Sequence, residues 1–166
     1  MTFEEFVHIR GPALIRFARL LTNDDDRADD LLQEVMAKVL VKWRRVSAAD
    51  RPDVYVRRMM VNANSSWWRR RSNRELSVAE PSDVCGRADL AQDIAERDHY
   101  WDLLGRLPMR QRAVLVLRYY EDLDDVTIAE VLDISPVTVR VTVLRALATL
   151  RERYADCLTP TRGSSR

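Results

Sequence analysis

No stretch of the chain approaches the roughly 20 consecutive apolar residues that a membrane-spanning helix needs, so direct membrane insertion is not expected. The start, MTFEEFVHIR, has acids where a secretory leader needs a basic and then an apolar segment. The expected location is therefore the cytoplasm. Cysteine is reduced to Cys85 and Cys157 with no CxxC pair, and histidine to His8 and His99 with no ligand spacing around them. A disulfide framework and a zinc site are excluded, leaving a reduced protein with incidental thiols. Lysine is confined to Lys38 and Lys42; every other basic residue is arginine, which suits phosphate and base contacts. There is no glycine-rich phosphate loop and no nucleophile beside a base in sequence. Neither catalysis nor a cofactor is expected. Strand signals are nearly absent, and no internal repeat is visible.

What is present is helical periodicity and uneven charge. A chain of 166 residues with 46% hydrophobic content fits one ordinary domain or two small ones. The net charge is only +1, but its distribution is informative. Arg57 to Arg74 holds six arginines and no acid, whereas Glu75 to Leu103 holds eight acids against Arg87 and Arg97. A basic block followed by an acidic one suggests a nucleic-acid face and then a segment that avoids nucleic acid. From charge alone, a solvated helix face and a polar linker read equally well.

Phe3 to Leu21 reads as a helix interrupted near Gly11-Pro12, since proline cannot continue an established ladder. Thr22-Asn23-Asp24 is a turn and capping cluster. Over residues 26–43, Ala28, Leu31, Leu32, Val35, Met36, Val39, Leu40 and Trp43 follow the i, i+3, i+4, i+7 pattern. Asp30, Gln33 and Glu34 fall on the other side. Ser47 to Arg51 reads as a loop, and Pro52 opens a helix to about Arg71. That helix has a stripe of Val56, Met59, Met60, Ala63 and Trp67, and an opposite face of Arg58, Asn62, Ser65 and Arg69. Residues 92–105, 109–121, 125–132 and 136–154 read as further helices. The expected architecture is all-α: a first helical domain (1–72), a flexible acidic linker (73–91), a second helical domain (92–155) and a disordered tail (156–166).

Three constellations point to function. The first is a helix-turn-helix at 125–154. A short helix bearing Ile128, Ala129 and Leu132 ends at Asp133-Ile134, and Ser135-Pro136 opens the next, with buried stripe Val139, Val143, Ala146, Leu147 and Leu150. Such a pair leaves its second helix free to enter a major groove, where Arg140 and Arg145 reach phosphates or guanine edges. An ordinary helical hairpin is the alternative. The second is the basic-aromatic run RRMMVNANSSWWRRRSNR, in which Trp67 is expected to pack in the core and Trp68 is open to either role. The third is the Asp30, Gln33, Glu34 face, which alone is only a solvated surface.

Together these residues resemble a known family. Asp30-Leu31-Leu32-Gln33-Glu34-Val35 is similar to the D-L-x-Q-E-x core of the sigma-two domain in extracytoplasmic-function (ECF) RNA polymerase sigma factors. Tyr55 to Arg58, Val61-Asn62 and Trp67 to Arg71 resemble the helix that follows it. Leu107-Pro108, Gln111-Arg112, Leu117 to Leu123, Ile128 to Leu132 and Ser135 to Arg151 resemble the sigma-four helix-turn-helix domain. FVHIRGPALIRFARLLT and SWWRRRS look closest to the actinobacterial SigE-like branch. The likeness covers nearly all of residues 3–154.

The resemblance implies a dissociable sigma factor that directs promoter-specific transcription initiation, with catalysis left to the polymerase. It assigns Asp30, Gln33 and Glu34 to the coiled coil of the core polymerase's largest subunit. Loop 44–52 with Arg58, Asn62, Ser65 and Arg69 takes the minus-ten element and an unpaired base. Ser135, Thr138, Arg140, Val141, Leu144 and Arg145 take the minus-thirty-five duplex, and the polymerase flap is a further partner. An anti-sigma protein is implied, and the acidic 75–102 segment becomes a nucleic-acid mimic along the polymerase channel. The chain departs from the family's S-x-G-T-V-K-S-x-x-S-R-A-L helix: Val137 stands for the glycine, and Val141 and Leu144 for two serines. Asp133 stands for a glycine cap, and Ser66 for an Asp or Asn. Losing serine hydroxyls should weaken duplex binding, whereas apolar groups can still touch thymine methyls. The patch is otherwise expected to be covered by the first domain or an anti-sigma partner. The rivals are a stand-alone helix-turn-helix regulator and a sigma-like adaptor that does not read promoters.

Overall fold

The computed structural model describes residues 1–74 and 101–158, and every regular element among them is helical. The expected linker from residue 75 on, the acidic segment beyond Arg74 up to residue 100, most of the 92–105 helix, Cys85 and the last eight residues lie outside these. Helix α1 is Phe3–Thr22, α2 Asp25–Val41, α3 Trp43–Ser47 and α4 Pro52–Arg74. Residues 101–105 form α5. Helix α6 (Met109–Leu115) continues into a π-helical turn, Val116–Tyr120. Helix α7 (Asp125–Leu132) and helix α8 (Pro136–Leu158) complete the chain.

Helix α1 starts in a capping box: the Thr2 hydroxyl accepts from the Glu5 N–H at 3.2 Å, and the Glu5 carboxylate accepts from the Thr2 N–H at 2.8 Å. It runs unbroken through Pro12, against the expected interruption. Pro12 lies on the exposed side, where water can serve the carbonyl it leaves unpaired, and Phe6, Leu14, Phe17 and Leu21 anchor the other face. Asn23 closes the helix in the left-handed region at φ 55°, a conformation asparagine tolerates better than most residues. Asp24 then caps α2 by accepting from Arg27 N–H at 2.8 Å.

The α2 stripe buries Ala28, Leu31, Val35 and Val39 as expected, but Leu40 is exposed. The helix stops at Val41, and the separate short α3 turns Val46 inward, so the following face no longer points at the core. The expected loop 44–52 is thus helical through Ser47. Helix α4 extends to Arg74, past the expected end of the first domain, and α8 extends to Leu158, into the expected tail.

Helix α4 packs on α1, α2 and α3 on one side and on α7 on the other. Two-sided packing explains why it buries Val54, Val56, Met60, Val61 and Ala63 together with Arg57 and Asn64, rather than a single stripe. In the second unit α6 and α7 pack on α8, which contributes Val139, Val143 and Ala146. The two units share one hydrophobic core.

Candidate nucleic-acid interface

The helix-turn-helix is built by its caps. The Asp124 carboxylate accepts from Thr127 N–H at 2.8 Å, which starts α7. Hydrogen bonds from Thr127 hold that carboxyl below its ordinary value. Asp133 ends α7 at φ 54°, doing the work of the usual glycine, and the Ile134 N–H reaches the Ala129 carbonyl at 3.1 Å. Ser135 Oγ then accepts from Thr138 N–H at 3.1 Å and opens α8.

Six residues were assigned to the minus-thirty-five duplex: Ser135, Thr138, Arg140, Val141, Leu144 and Arg145. All are exposed along one length of α8. The Ser135 and Thr138 hydroxyls bond each other at 2.8 Å, so both serve the cap. Arg140 Nε lies 3.7 Å from Asp125 Oδ2, and Asp125 also accepts from Arg118. The apolar patch at Val137, Val141 and Leu144 is not covered by the first domain, one of the two covers expected for it; these residues are 60%, 39% and 68% exposed.

On α4, Arg58, Asn62 and Arg69 are exposed and Ser65 is half-buried. The second unit reaches this face. Arg58 Nη2 lies 3.6 Å from the Asp133 carboxylate. Asn62 and Ser65 line a cavity of about 240 Å³ shared with Met109, Arg110 and Leu132. Arg69 instead donates to Ser66 Oγ at 3.2 Å.

The basic-aromatic run is a stack rather than a core plug. Trp67 is half-buried, not packed in the core as expected. Its ring has the Arg27 guanidinium 4.5 Å away and the Arg71 guanidinium 5.2 Å away, and meets Trp68 edge-on at 5.1 Å. Cation–π attraction of this kind holds the indole between charges. Burial lowers the Arg27 pKa from its ordinary value.

The three residues expected to bind core polymerase share one side of α2. Asp30 and Gln33 are exposed, and Glu34 is half-buried. The Glu34 carboxylate accepts from Lys38 Nζ at 2.7 Å, and this hydrogen bond holds its carboxyl below its ordinary value.

Sequence reasoning missed the arginines that turn inward. Arg57 sits in the basic run yet is buried, paired with Glu121 from the second unit and with Asp53 at 3.2 Å. Arg51 Nη1 donates to Thr127 Oγ1 at 2.8 Å. Arg112 donates to the carbonyls of Leu104, Gly105 and Leu107 and to that of Leu21 at the end of α1, at 2.8–3.2 Å. Burial pushes its pKa down to about 10. The only cue in sequence was the i, i+4 spacing of Asp53 and Arg57; Glu121, Thr127 and Leu21 are distant along the chain from the arginines they meet, and the Leu104, Gly105 and Leu107 carbonyls leave no side-chain pattern.

Two family models match this chain: Sigma-70 region 2 over residues 6–74 and Sigma-70 region 4 over residues 97–158. The chain is 37% identical over 156 residues to an RNA polymerase sigma-E factor of Streptomyces coelicolor, covering 92% of this chain and 85% of that one. It is also 37% identical over 152 residues to the sigma-E factor of Streptomyces avermitilis, covering 92% and 84%. A solved structure of the sigma factor RpoE in complex with the anti-sigma factor NepR from Bartonella quintana shares the fold. Its TM-score is 0.70 at 24% identity, over 90% of this chain and 94% of that one.

Proposed function

The chain belongs to the sigma-70 family of RNA polymerase sigma factors, and from that premise we propose how its surfaces divide the work of transcription initiation. The chain binds core RNA polymerase and directs it to promoters; the chemistry of RNA synthesis is the polymerase's, and the chain works in the cytoplasm. Residues 1–74 form the polymerase-binding and minus-ten unit, the segment after Arg74 is the linker, and the C-terminal unit through Leu158 is the minus-thirty-five unit. Asp30, Gln33 and Glu34 dock on the largest subunit's coiled coil. Arg58, Asn62, Ser65 and Arg69 engage the minus-ten element, and the exposed side of α8 engages the upstream duplex. An anti-sigma protein is a further partner.

The observation that carries this reading is a helix-turn-helix with its second helix exposed, in one chain with an arginine-lined α4 and a separate acidic-polar face on α2. A stand-alone operator-binding regulator needs only the first of these. Because Asp133 and the cavity shared with Met109 and Leu132 lie against the α4 face, promoter DNA reaches the whole of that face, half-buried Ser65 included, only after the two units separate.

The test is polymerase binding. Asp30→Arg with Glu34→Arg reverses the charge of the α2 face, and the loss of the Lys38 partner costs about 0.5 kcal/mol or less on a helix surface. Helicity should persist while co-purification with core polymerase is lost. Undiminished binding would remove these residues from the interface. Failure of the wild-type chain to support promoter-specific transcription with core polymerase would refute the function itself.

A further inference from the structure

Val137, Val141 and Leu144 follow one another at i, i+4 and i+7 on α8, opposite the buried Val139, Val143 and Ala146. They form an apolar ridge on the side of the helix that the helix-turn-helix leaves open. Exposed Arg140 and Arg145 lie on its two flanks. Asp125 steadies Arg140 from one side.

The hydroxyls nearby are already engaged. Thr142 Oγ1 donates to the Thr138 carbonyl at 2.7 Å and Thr149 Oγ1 to the Arg145 carbonyl at 2.9 Å. Ser135 and Thr138 are joined in the cap at 2.8 Å. Each of these hydroxyls has part of its hydrogen-bonding capacity taken up, and the ridge itself offers only aliphatic groups, between arginines. In the major groove only thymine offers a methyl group. Every base pair also presents polar atoms there, so the methyl group is what distinguishes T·A as a partner for valine and leucine.

Building on the proposed sigma function, we propose that Val137, Val141 and Leu144 are specificity-determining residues that read thymine C5-methyl groups in the upstream promoter duplex, with Arg140 and Arg145 holding phosphates on either side. The seven residue steps from Val137 to Leu144 span about 10 Å of helix. That matches about three base-pair steps at about 3.4 Å each. The preferred element is a short run of T·A pairs, with thymines on either strand. The ridge supplies discrimination and the arginines supply most of the attraction, so the missing serines change what is read more than whether DNA is held.

The experiment uses full-length protein with core polymerase. Transcribed promoters are selected from a library randomised in the upstream element. Each selected thymine is then replaced by deoxyuridine, which lacks only the methyl group. Burying one such group is worth about a fourfold change in affinity. Wild-type holoenzyme should lose about that much per contacted thymine, measured by open-complex formation on linear duplex. The Val141→Ser, Leu144→Ser double variant should be indifferent to deoxyuridine at the positions those residues touch, and its own selected elements should lose the thymine preference. Wild-type indifference to deoxyuridine at every selected thymine would overturn the proposal without need of any variant. So would an unchanged thymine preference in the double variant, which would leave the ridge to a protein partner. Failure of the wild-type chain to initiate from any member of the library would overturn the sigma reading and this proposal together, whereas initiation that ignores the methyls overturns this proposal alone.

Discussion

Glu121→Ala tests how the two helical units are held together. The Glu121 side chain follows the π-helical turn and meets the Arg57 guanidinium of α4, each side chain being 9% exposed. Such a pair adds little over an apolar replacement, because desolvation offsets the attraction, but removing one member strands the other. After the substitution Arg57 keeps Asp53 at 3.2 Å, while its Nε already has no partner. Breaking a buried pair costs about 3–5 kcal/mol, and the remaining Asp53 places the expected cost near the lower end, about 3 kcal/mol. For a chain of this length each kcal/mol shifts Tm by about 2–4 °C, so a loss of about 6–12 °C is expected. The comparison variant is Arg58→Ala, which breaks the Arg58–Asp133 pair, 3.6 Å apart with side chains 47% and 84% exposed, and leaves the left-handed backbone at Asp133 untouched. Water screens that pair, and its loss should cost at most about 1 kcal/mol. Circular dichroism melts at neutral pH read both, and small-angle scattering reads whether part of the Glu121→Ala loss is met by undocking at unchanged helicity. Replacing both partners, Arg57→Met with Glu121→Leu, should restore most of the Tm. A Glu121→Ala protein that melts and scatters like Arg58→Ala would refute the claim that this pair fastens the units.

Asn62→Ala with Arg69→Ala should reduce open-complex formation more than polymerase binding, and wild-type promoter binding should fall steeply with salt as phosphate contacts release counterions; equal loss of both activities, or a flat salt response, would count against the α4 assignment. Gly105→Ala would place a methyl group 2.3 Å from Asn23 Nδ2, so overpacking of about 1–3 kcal/mol is expected in a melt. Asn23→Gly, which removes the obstructing side chain and suits the left-handed backbone at φ 55°, should rescue it. The lowered Asp124 pKa gives α7 a pH dependence. Because its folded value lies below the unfolded one, its stabilisation is present above about pH 4 and lost as pH falls through the folded value. Asp124→Asn keeps an N-cap without the titration, so its acid melts should show a shallower fall than those of the wild type.

The all-α class and the helix-turn-helix were legible in the sequence, because both rest on short-range physics. The spacing of Leu31, Val35 and Val39, the Asp124 and Ser135 caps, and the inward Val139, Val143 and Ala146 each depend on neighbours within two turns of helix. The exposed polar face of α2 follows from the same periodicity, since what is not on the stripe faces water. Where local rules failed, a distant partner decided. Pro12 did not break α1 because a packed apolar face outweighed one lost hydrogen bond. Leu40 left the stripe because α2 ended one residue later, at Val41, and α3 took over the burial.

The sequence by itself thus determined which residues can form helices, which stripes they bury and which motif carries the DNA-facing helix. Tertiary structure alone decided which members of an arginine-rich run stay at the surface. Arg58 and Arg69 are exposed, whereas Arg57 is buried against Glu121, sixty-four positions along the chain. Arg112 is held by carbonyls from both units. Trp67 lies between guanidiniums from α2 and α4. A guanidinium is costly to bury unless a carboxylate, a carbonyl or an aromatic face meets it, and those partners come into reach only when the helices pack.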